Sequence, residues 1–336
     1  MRKLAVGCAL LAASLLCVGC VGRAGDPSGP DAATGSDSGL PGDGGTADAG
    51  TPPDAGGGQS DGGTPPVDEC AAPGADWIFC SSFEEGNKAI WDDYDGNPDT
   101  QNQLMADPGP FALAANHVIR LRVPPGRGAS DLIKVLPSQP DKVYARWYVK
   151  WEAGFDFTVG NHGSGLHAGD RSFLGHSDFL PNGDDWFSSW VEPHPTSYGI
   201  VQDAYTYYRG MYQDCADPMG ACWGDTFPCM SGATYCTNPA HLPKGTPPTG
   251  VADRWTCLEM MLDSGTPVSS AAAADGVLDF WQDGYEFGPW DKLWLRTSAS
   301  VKPSILYLNL FHHADHSVAG LLIDNVVVST SRIGCP

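Results

Sequence analysis

From Trp77 onward the chain alternates short apolar runs with turn residues, and the runs carry a period of two rather than the 3.6 of a helix. They are WIFCSSF, HVIRLRV, KVYARWYVKW, SYGIVQDAYTYY, RWTCLEMMLD, GVLDFWQDG, KLWLRT, SILYLNLF and GLLIDNVVVST. Many short strands at close intervals predict an all-β sandwich. Within YARWYVKW, Tyr144, Arg146, Tyr148 and Lys150 alternate with Ala145, Trp147, Val149 and Trp151. That strand is expected to cover a core with one face and meet solvent with the other. Asp283-Gly284 has the composition of a tight hairpin turn. No motif recurs at a fixed period, which argues against a solenoid or propeller.

The first residues follow another pattern. Arg2 and Lys3 precede an uncharged run from Leu4 to Val18, and small residues then lead to Cys20. This is a secretory signal, short for a membrane span. Val18, Gly19 and Cys20 resemble the end of a bacterial lipoprotein signal (residues 1–20), which implies lipid attachment at Cys20 and a place at the cell envelope or surface; plain secretion is the alternative. Residues 21–69 are almost entirely Gly, Pro, Asp, Ala, Ser and Thr, too poor in apolar surface to offset chain entropy. They read as a disordered tether reaching about 40 Å root-mean-square. Residues 70–336 suit one large all-β domain. The formal net charge is −21, and −15 remains once the three cations and nine acids of residues 1–69 are set aside. Such a surface excludes nucleic acid as a partner and any binding that rests on bulk positive charge. The membrane is expected as a partner only through the lipid, and the domain is expected to be a monomer.

Eight of the eleven cysteines follow the signal, an even number that reads as disulfides in an exported protein. Cys215, Cys222, Cys229 and Cys236 recur every seven residues in a loop-like insertion. Zinc ligands stand two to four residues apart, so two local disulfides are the better reading there. Cys70, Cys80, Cys257 and Cys335 complete the set; their pairing does not follow from spacing, although Cys335 is expected to tie the last strand to the first segment. Asp93, Asp95, Asn97 and Asp99 alternate like the start of a calcium loop, yet Pro98 and Leu104 stand where that loop needs Gly and Glu. An Asx-rich turn fits better. His312, His313 and His316 in FHHADHS offer three imidazoles to a transition metal. A solvated loop is favoured over that metal site, and no cofactor is called for. No Gly-x-Ser-x-Gly elbow and no phosphate-cradling glycine loop occurs.

Two features suggest carbohydrate chemistry. Tyr205 and Tyr207 in DAYTYYRG stand two apart, so their phenols share one strand face with Arg209, suited to sugar stacking or proton transfer, or else to plain packing. TVGNHGSGLHAG places His162 and His167 in a glycine-rich turn that packing alone does not require.

Taken in order, KVYARWYVKWEAGFDFTVGNHGSGL, DWFSSW, AYTYYRG, GDTFP and DRWTCLEMMLDSGTPV…DGVLDFWQDG resemble successive blocks of the jelly-roll polysaccharide lyases that cleave alginate and glucuronan. The resemblance spans Lys142 to Thr330 and lies in the order of several blocks. It implies a concanavalin A-like jelly roll and cleavage of a uronate-containing polysaccharide by β-elimination. His162 falls where that family has a functional lysine, and His167 would lie at the rim. Ser188 matches the family's serine, Tyr205 and Tyr207 its tyrosine pair, and Glu259 the acid of its Trp-x-x-x-Glu strand. Trp190 stands where the family has an arginine. His162 is therefore the candidate base or carboxylate partner, Tyr205 or Tyr207 the candidate acid, and Ser188 a catalytic companion. Arg146, Lys150, Arg171 or Arg209 would supply the missing cation; Trp190, Glu259, Asn309 and His313 are further candidate substrate contacts. Trp186, Trp190, Tyr198 and Tyr208 are expected as exposed stacking surfaces. Two rival readings remain: a non-catalytic carbohydrate-binding protein, and a glycoside hydrolase pairing Glu259 with Asp279, Asp203 or Glu192.

Overall fold

A computed structural model describes residues 68–176, 179–211, 222–229, 246–316 and 318–336. The signal, Cys20, residues 21–67 of the tether, Cys215 and Cys236 lie outside the described residues, whereas Asp68 and Glu69, expected to belong to the tether, are ordered at the start of the domain. The strands, in chain order, are β1 (Trp77–Ser81), β2 (Asp93–Asp95), β3 (Asn102–Ala106), β4 (His117–Leu121), β5 (Gly128–Val135) and β6 (Lys142–Trp151). There follow β7 (Asn161–His162), β8 (Ser164–Gly169), β9 (Trp186–Thr196), β10 (Gly199–Tyr207), β11 (Asp225–Phe227) and β12 (Thr256–Asp263). The last are β13 (Gly276–Gln282), β14 (Tyr285–Glu286), β15 (Trp290–Leu293), β16 (Pro303–His312) and β17 (Leu321–Ser329).

Among the described residues they form two antiparallel sheets. One runs β14-β13-β12-β6-β17-β4-β3, with β1 on β17 and β15 on β13. The other runs β11-β10-β9-β8-β16-β5-β2, with β7 on β16. The period of two explains the layering. On β6, Val143, Ala145, Trp147, Val149 and Trp151 enter the shared core, where they meet Leu258, Met260 and Leu262 of β12 and Leu306, Leu308 and Leu310 of β16. Each such large side chain contributes on the order of 1.5–3 kcal/mol by leaving water.

The opposite face of β6 departs from the expectation of a solvated surface. Arg146 is only 1% exposed and Tyr148 6%. The two ends of the domain cover Arg146, which pairs with Glu69 and donates to the carbonyl of Gly334, while Phe111 packs on Tyr148. The cysteines explain how those ends are held. Cys70 joins Cys80 near the start, and Cys335 joins Cys257 on β12. Cys335 therefore ties the end of the chain to a central strand, not to the first segment. Cys222 and Cys229 are both disulfide-bonded, as their spacing suggested.

TVGNHGSGLHAG is not a flexible turn but two strand segments, β7 and β8, broken at Gly163. Its glycines answer to the neighbouring main chain. A Cβ at Gly163 would stand 2.1 Å from the carbonyl oxygen of Val191, and one at Gly165 2.0 Å from that of Ser189. Only glycine lets β9 approach this closely.

Candidate functional site

The face of the β2–β11 sheet turned away from the core carries the chemistry. Alternation sends Ser188, Trp190, Glu192 and His194 of β9 to that face, and Asp203, Tyr205 and Tyr207 of β10 beside them. Register sets the neighbours: Tyr205 lies opposite Trp190 and Asp203 opposite Glu192. Trp190 lies opposite Gly165, and Gly165 opposite Tyr307. The outcome is an open groove of about 560 Å³ lined by Asp93, Tyr94, Asp95, Arg127, Asp131, His162, His176, Trp190, Tyr205, Tyr207, Tyr307, Asn309, Phe311 and His313, with a few smaller side chains.

His162 stands in the middle of a line of ionisable groups. Its Nδ1 is 2.6 Å from Glu192 Oε2, and its Nε2 is 2.9 Å from His313 Nε2. A carboxylate only accepts, so Nδ1 carries a proton, and in the neutral ring Nε2 then holds the lone pair. His313 then donates to that lone pair. Burial, reinforced by His162 and Arg127, lowers the His313 pKa to about 4, so this ring is neutral. On the far side, Glu192 Oε1 lies 3.8 Å from His194 Nε2, and His194 Nδ1 lies 2.6 Å from Asp203 Oδ2. The Asp203 carboxylate, against the opposing effect of burial and with help from Glu192, raises the His194 pKa to about 10. His194 is thus an imidazolium between the carboxyl groups of Glu192 and Asp203. Glu192, His194 and Asp203 also bring ligand atoms within 4.8 Å of one another.

The tyrosines lie against the same histidine. The Tyr205 ring stacks on the His162 ring, with centroids 5.3 Å apart and planes within 7°. Its hydroxyl lies 2.9 Å from that of Tyr207 and accepts from the Gly224 N–H at 3.0 Å. Burial first, then Tyr207, pushes the Tyr205 pKa well above its usual value, so the phenol keeps its proton. Asn309 donates to the carbonyls of His162 and Gly163 at 3.4 and 3.3 Å and so holds the β7–β8 break.

Ser188 and His167 form a second pair, at the same face but sealed off. Both are 0% exposed, which corrects the placement of His167 at the rim. Ser188 Oγ lies 2.6 Å from His167 Nδ1, while His167 Nε2 donates to the Asp170 carbonyl at 2.9 Å. Nδ1 is therefore the acceptor and Ser188 the donor. Burial, with a smaller push from His176 and against the pull of Asp170, lowers the His167 pKa to about 4. A folded pKa below the unfolded value gives stability that is present above pH 6.5 and lost as the pH falls towards 4. The predicted loss is on the order of 3 kcal/mol. Urea titrations of the wild type and His167→Gln over this pH range should therefore converge as the pH falls.

Several candidate contacts are not at the groove. Arg146 lies on the other sheet beneath the chain ends, as above. Lys150, also on β6, pairs with Asp107 at 2.8 Å and lies over the Trp255 ring. Glu259 on β12 is fully buried and accepts from the N–H groups of Ile333 and Gly334 at 2.7 and 3.0 Å, a structural acid. Arg209 covers Trp294, 4.8 Å from its ring centre, and Arg171 pairs with Asp93. Trp186, Trp190 and Tyr208 are buried, Trp190 within the groove lining, so of the four expected stacking surfaces Tyr198 alone is exposed. Glu259 and Asp279 sit on the other sheet from Glu192 and Asp203, so the hydrolase pairings built on Glu259 do not form across the groove. The histidines of FHHADHS separate: His312 is buried and stacks on His316 at 3.7 Å, while His313 turns to His162. The DYDGNPDTQ segment is an Asx turn, in which Asp95 and Asn97 side chains accept from the N–H groups of Gly96 and Asp99.

Arg127, in the turn Gly126-Arg127-Gly128, was not anticipated. Among the described residues it is the one lysine or arginine lining the groove, and it pairs with no carboxylate there. It lies 5.6 Å from the Phe311 ring centre. Asp131, Tyr307 and His194 were also missed. The readable signal was the alternation itself, which puts His194 on the face of Trp190 and Asp131 on that of Ile133.

The alginate lyase vAL-1 of a Chlorella virus aligns with 76% of this chain and all of its own, at 12% identity and a TM-score of 0.51. The chain shares the jelly-roll β-sandwich fold of that protein. Also similar are a marine PL-14 alginate lyase from Aplysia kurodai, at 12% identity over 76% of this chain and 97% of that one, TM-score 0.49, and an endo-β-1,4-glucuronan lyase from Trichoderma reesei, at 13% over 72% and 91%, TM-score 0.44. No family model and no curated protein sequence matches the chain.

Proposed function

We propose that the protein is a polysaccharide lyase acting on a uronate-containing polymer by β-elimination. One observation carries the reading: His162, its Nδ1 held by Glu192, lies stacked against the protonated phenol of Tyr205 in a groove whose one lysine or arginine among the described residues, Arg127, pairs with no carboxylate. Fold alone does not assign activity; the placement of base, acid and cation together supports it.

In this reading a uronate enters with its carboxylate towards Arg127 and displaces His313 from His162. The His162 Nε2 lone pair takes the proton α to the carboxylate. The electrons of that C–H bond form the carbon–carbon double bond, the bond from the β carbon to the glycosidic oxygen breaks, and the departing oxygen takes the Tyr205 phenolic proton. Arg127 stabilises the charge that builds on the carboxylate in between. Tyr207 returns a proton to Tyr205 across their hydrogen bond, and solvent restores both groups. Base and acid act from one face of the sugar, because the two rings are stacked. Ser188, hidden beneath with His167, is a supporting residue here and touches no substrate. Lipid attachment at Cys20 would hold this domain at the cell envelope on its tether.

Tyr205→Phe tests the assignment of the acid. It keeps the ring that stacks on His162 and removes the proton donor. The expected result is a fall in kcat of about 10²–10⁴-fold on a uronate polymer, with KM little changed; unchanged kcat would remove Tyr205 from the chemistry. The readout is the ultraviolet absorbance of the unsaturated uronate product.

A further inference from the structure

The groove is divided electrically. At one end stand Arg127 and the imidazoles of His162 and His313. One pleat along the strands, roughly 7 Å away, a row crosses three strands in register: Asp95 of β2 faces Asp131 of β5, which faces Asn309 of β16. This row is made of acceptors. Asp131 accepts from the Asp95 N–H at 2.8 Å and from the Tyr307 hydroxyl at 3.0 Å, and Asp93 adds a further carboxylate to the same wall. Asn309 turns its amide N–H groups to the β7–β8 carbonyls, and its Oδ1, in a residue 3% exposed, finds no partner in the protein. The Trp190 N–H at the groove floor is likewise without a partner.

We infer that the groove selects a uronate flanked, on the side of Asp95, Asp131 and Asn309, by a sugar that has no carboxylate and offers hydroxyl or amide N–H donors. The inference rests on the lyase reading for the uronate at His162, and it concerns the neighbouring subsite. A homopolymer of uronate would set its next carboxylate against Asp95 and Asp131, neither of which pairs with a lysine or arginine among the described residues, while Asp93 beside them is paired with Arg171. Like charges so placed repel one another and weaken binding. A neutral or N-acetylated sugar instead donates to the row and satisfies acceptors that the protein leaves open. Burial, with Asp95 and Asp93 nearby, raises the Asp131 pKa to about 6, so Asp131 is still mostly charged at neutral pH.

The test separates binding from chemistry. With the His162→Ala full chain, in chelator so that no divalent cation bridges carboxylates, calorimetry compares two sets of tetrasaccharides. One set is homouronate, from polyglucuronate and from alginate. The other alternates glucuronate with N-acetylhexosamine, from hyaluronan and chondroitin. The expected result is at least about tenfold tighter binding of an alternating tetrasaccharide. Asp131→Asn, made in the same background, should narrow that ratio by improving the homouronates. Equal or tighter binding of homouronates, no binding of either set, or a ratio unmoved by Asp131→Asn would overturn the inference. Wild-type protein on the parent polymers reads the chemistry separately: selective binding without an unsaturated product would sink the lyase reading and leave the subsite assignment standing.

Discussion

Replacing His162 by alanine is expected to lower kcat on the cognate polymer by about 10²–10⁴-fold, the range for loss of a positioned general base. The loss should be confined to chemistry. The His162 side chain is 27% exposed at the groove, so its removal opens space to water rather than an empty cavity. Glu192 would lose one partner but keep His194, which spares it from becoming an isolated buried charge. The melting temperature should therefore move by only a few degrees while activity falls. A variant that melts normally and still eliminates would remove His162 from the reaction and leave Tyr205 and Tyr207 to be reconsidered as the base.

Removing the Cys257–Cys335 disulfide is the corresponding prediction for the fold. The bridge closes a loop with a sequence separation of 78 residues, for which chain entropy predicts a loss of about 4 kcal/mol. More is attached to it than the loop. The segment beside Cys335 gives the Ile333 and Gly334 N–H groups to buried Glu259 and the Gly334 carbonyl to Arg146. If the chain end detaches, two charges that are almost fully buried lose partners they need. Cys257→Ser with Cys335→Ser should lower the urea midpoint and, at roughly 2 °C or more per kcal/mol for a domain of this size, the melting temperature by about 8 °C or more. Specific activity well below the transition should be unchanged, because the groove lies on the other sheet. A midpoint within error of the wild type would mean that the end is held by packing alone.

The layers of the fold were legible because they depend on local alternation. YARWYVKW announces a strand with one apolar face, and Trp147 and Val149 do enter the core. What covers its other face was not legible, since Glu69 and Gly334 come from opposite ends of the chain. For the same reason Arg146, Lys150 and Glu259 read as cleft residues: a polar side chain on a strand does not say which sheet carries the groove. The stretch around His162 was legible as a site but not in its form. Its glycines answer to the β9 main chain at Val191 and Ser189, and the histidine taken for rim, His167, is the deeper of the two. Arg127 escaped notice because a lone arginine in a Gly-Arg-Gly turn has no pattern. Its importance comes from the three carboxylates, Asp93, Asp95 and Asp131, that line the same groove.

The most direct measurement is the mass of the fragments released when the purified protein meets polymers that contain uronate. β-Elimination predicts a new non-reducing end that is one water lighter than a hydrolytic end and that absorbs in the ultraviolet. Fragments carrying a saturated end, with the heavy isotope incorporated from labelled water, would contradict the account and return the site to hydrolysis. Bound but uncut polymer across the whole panel would contradict it equally, and leave a groove that recognises sugar without breaking it.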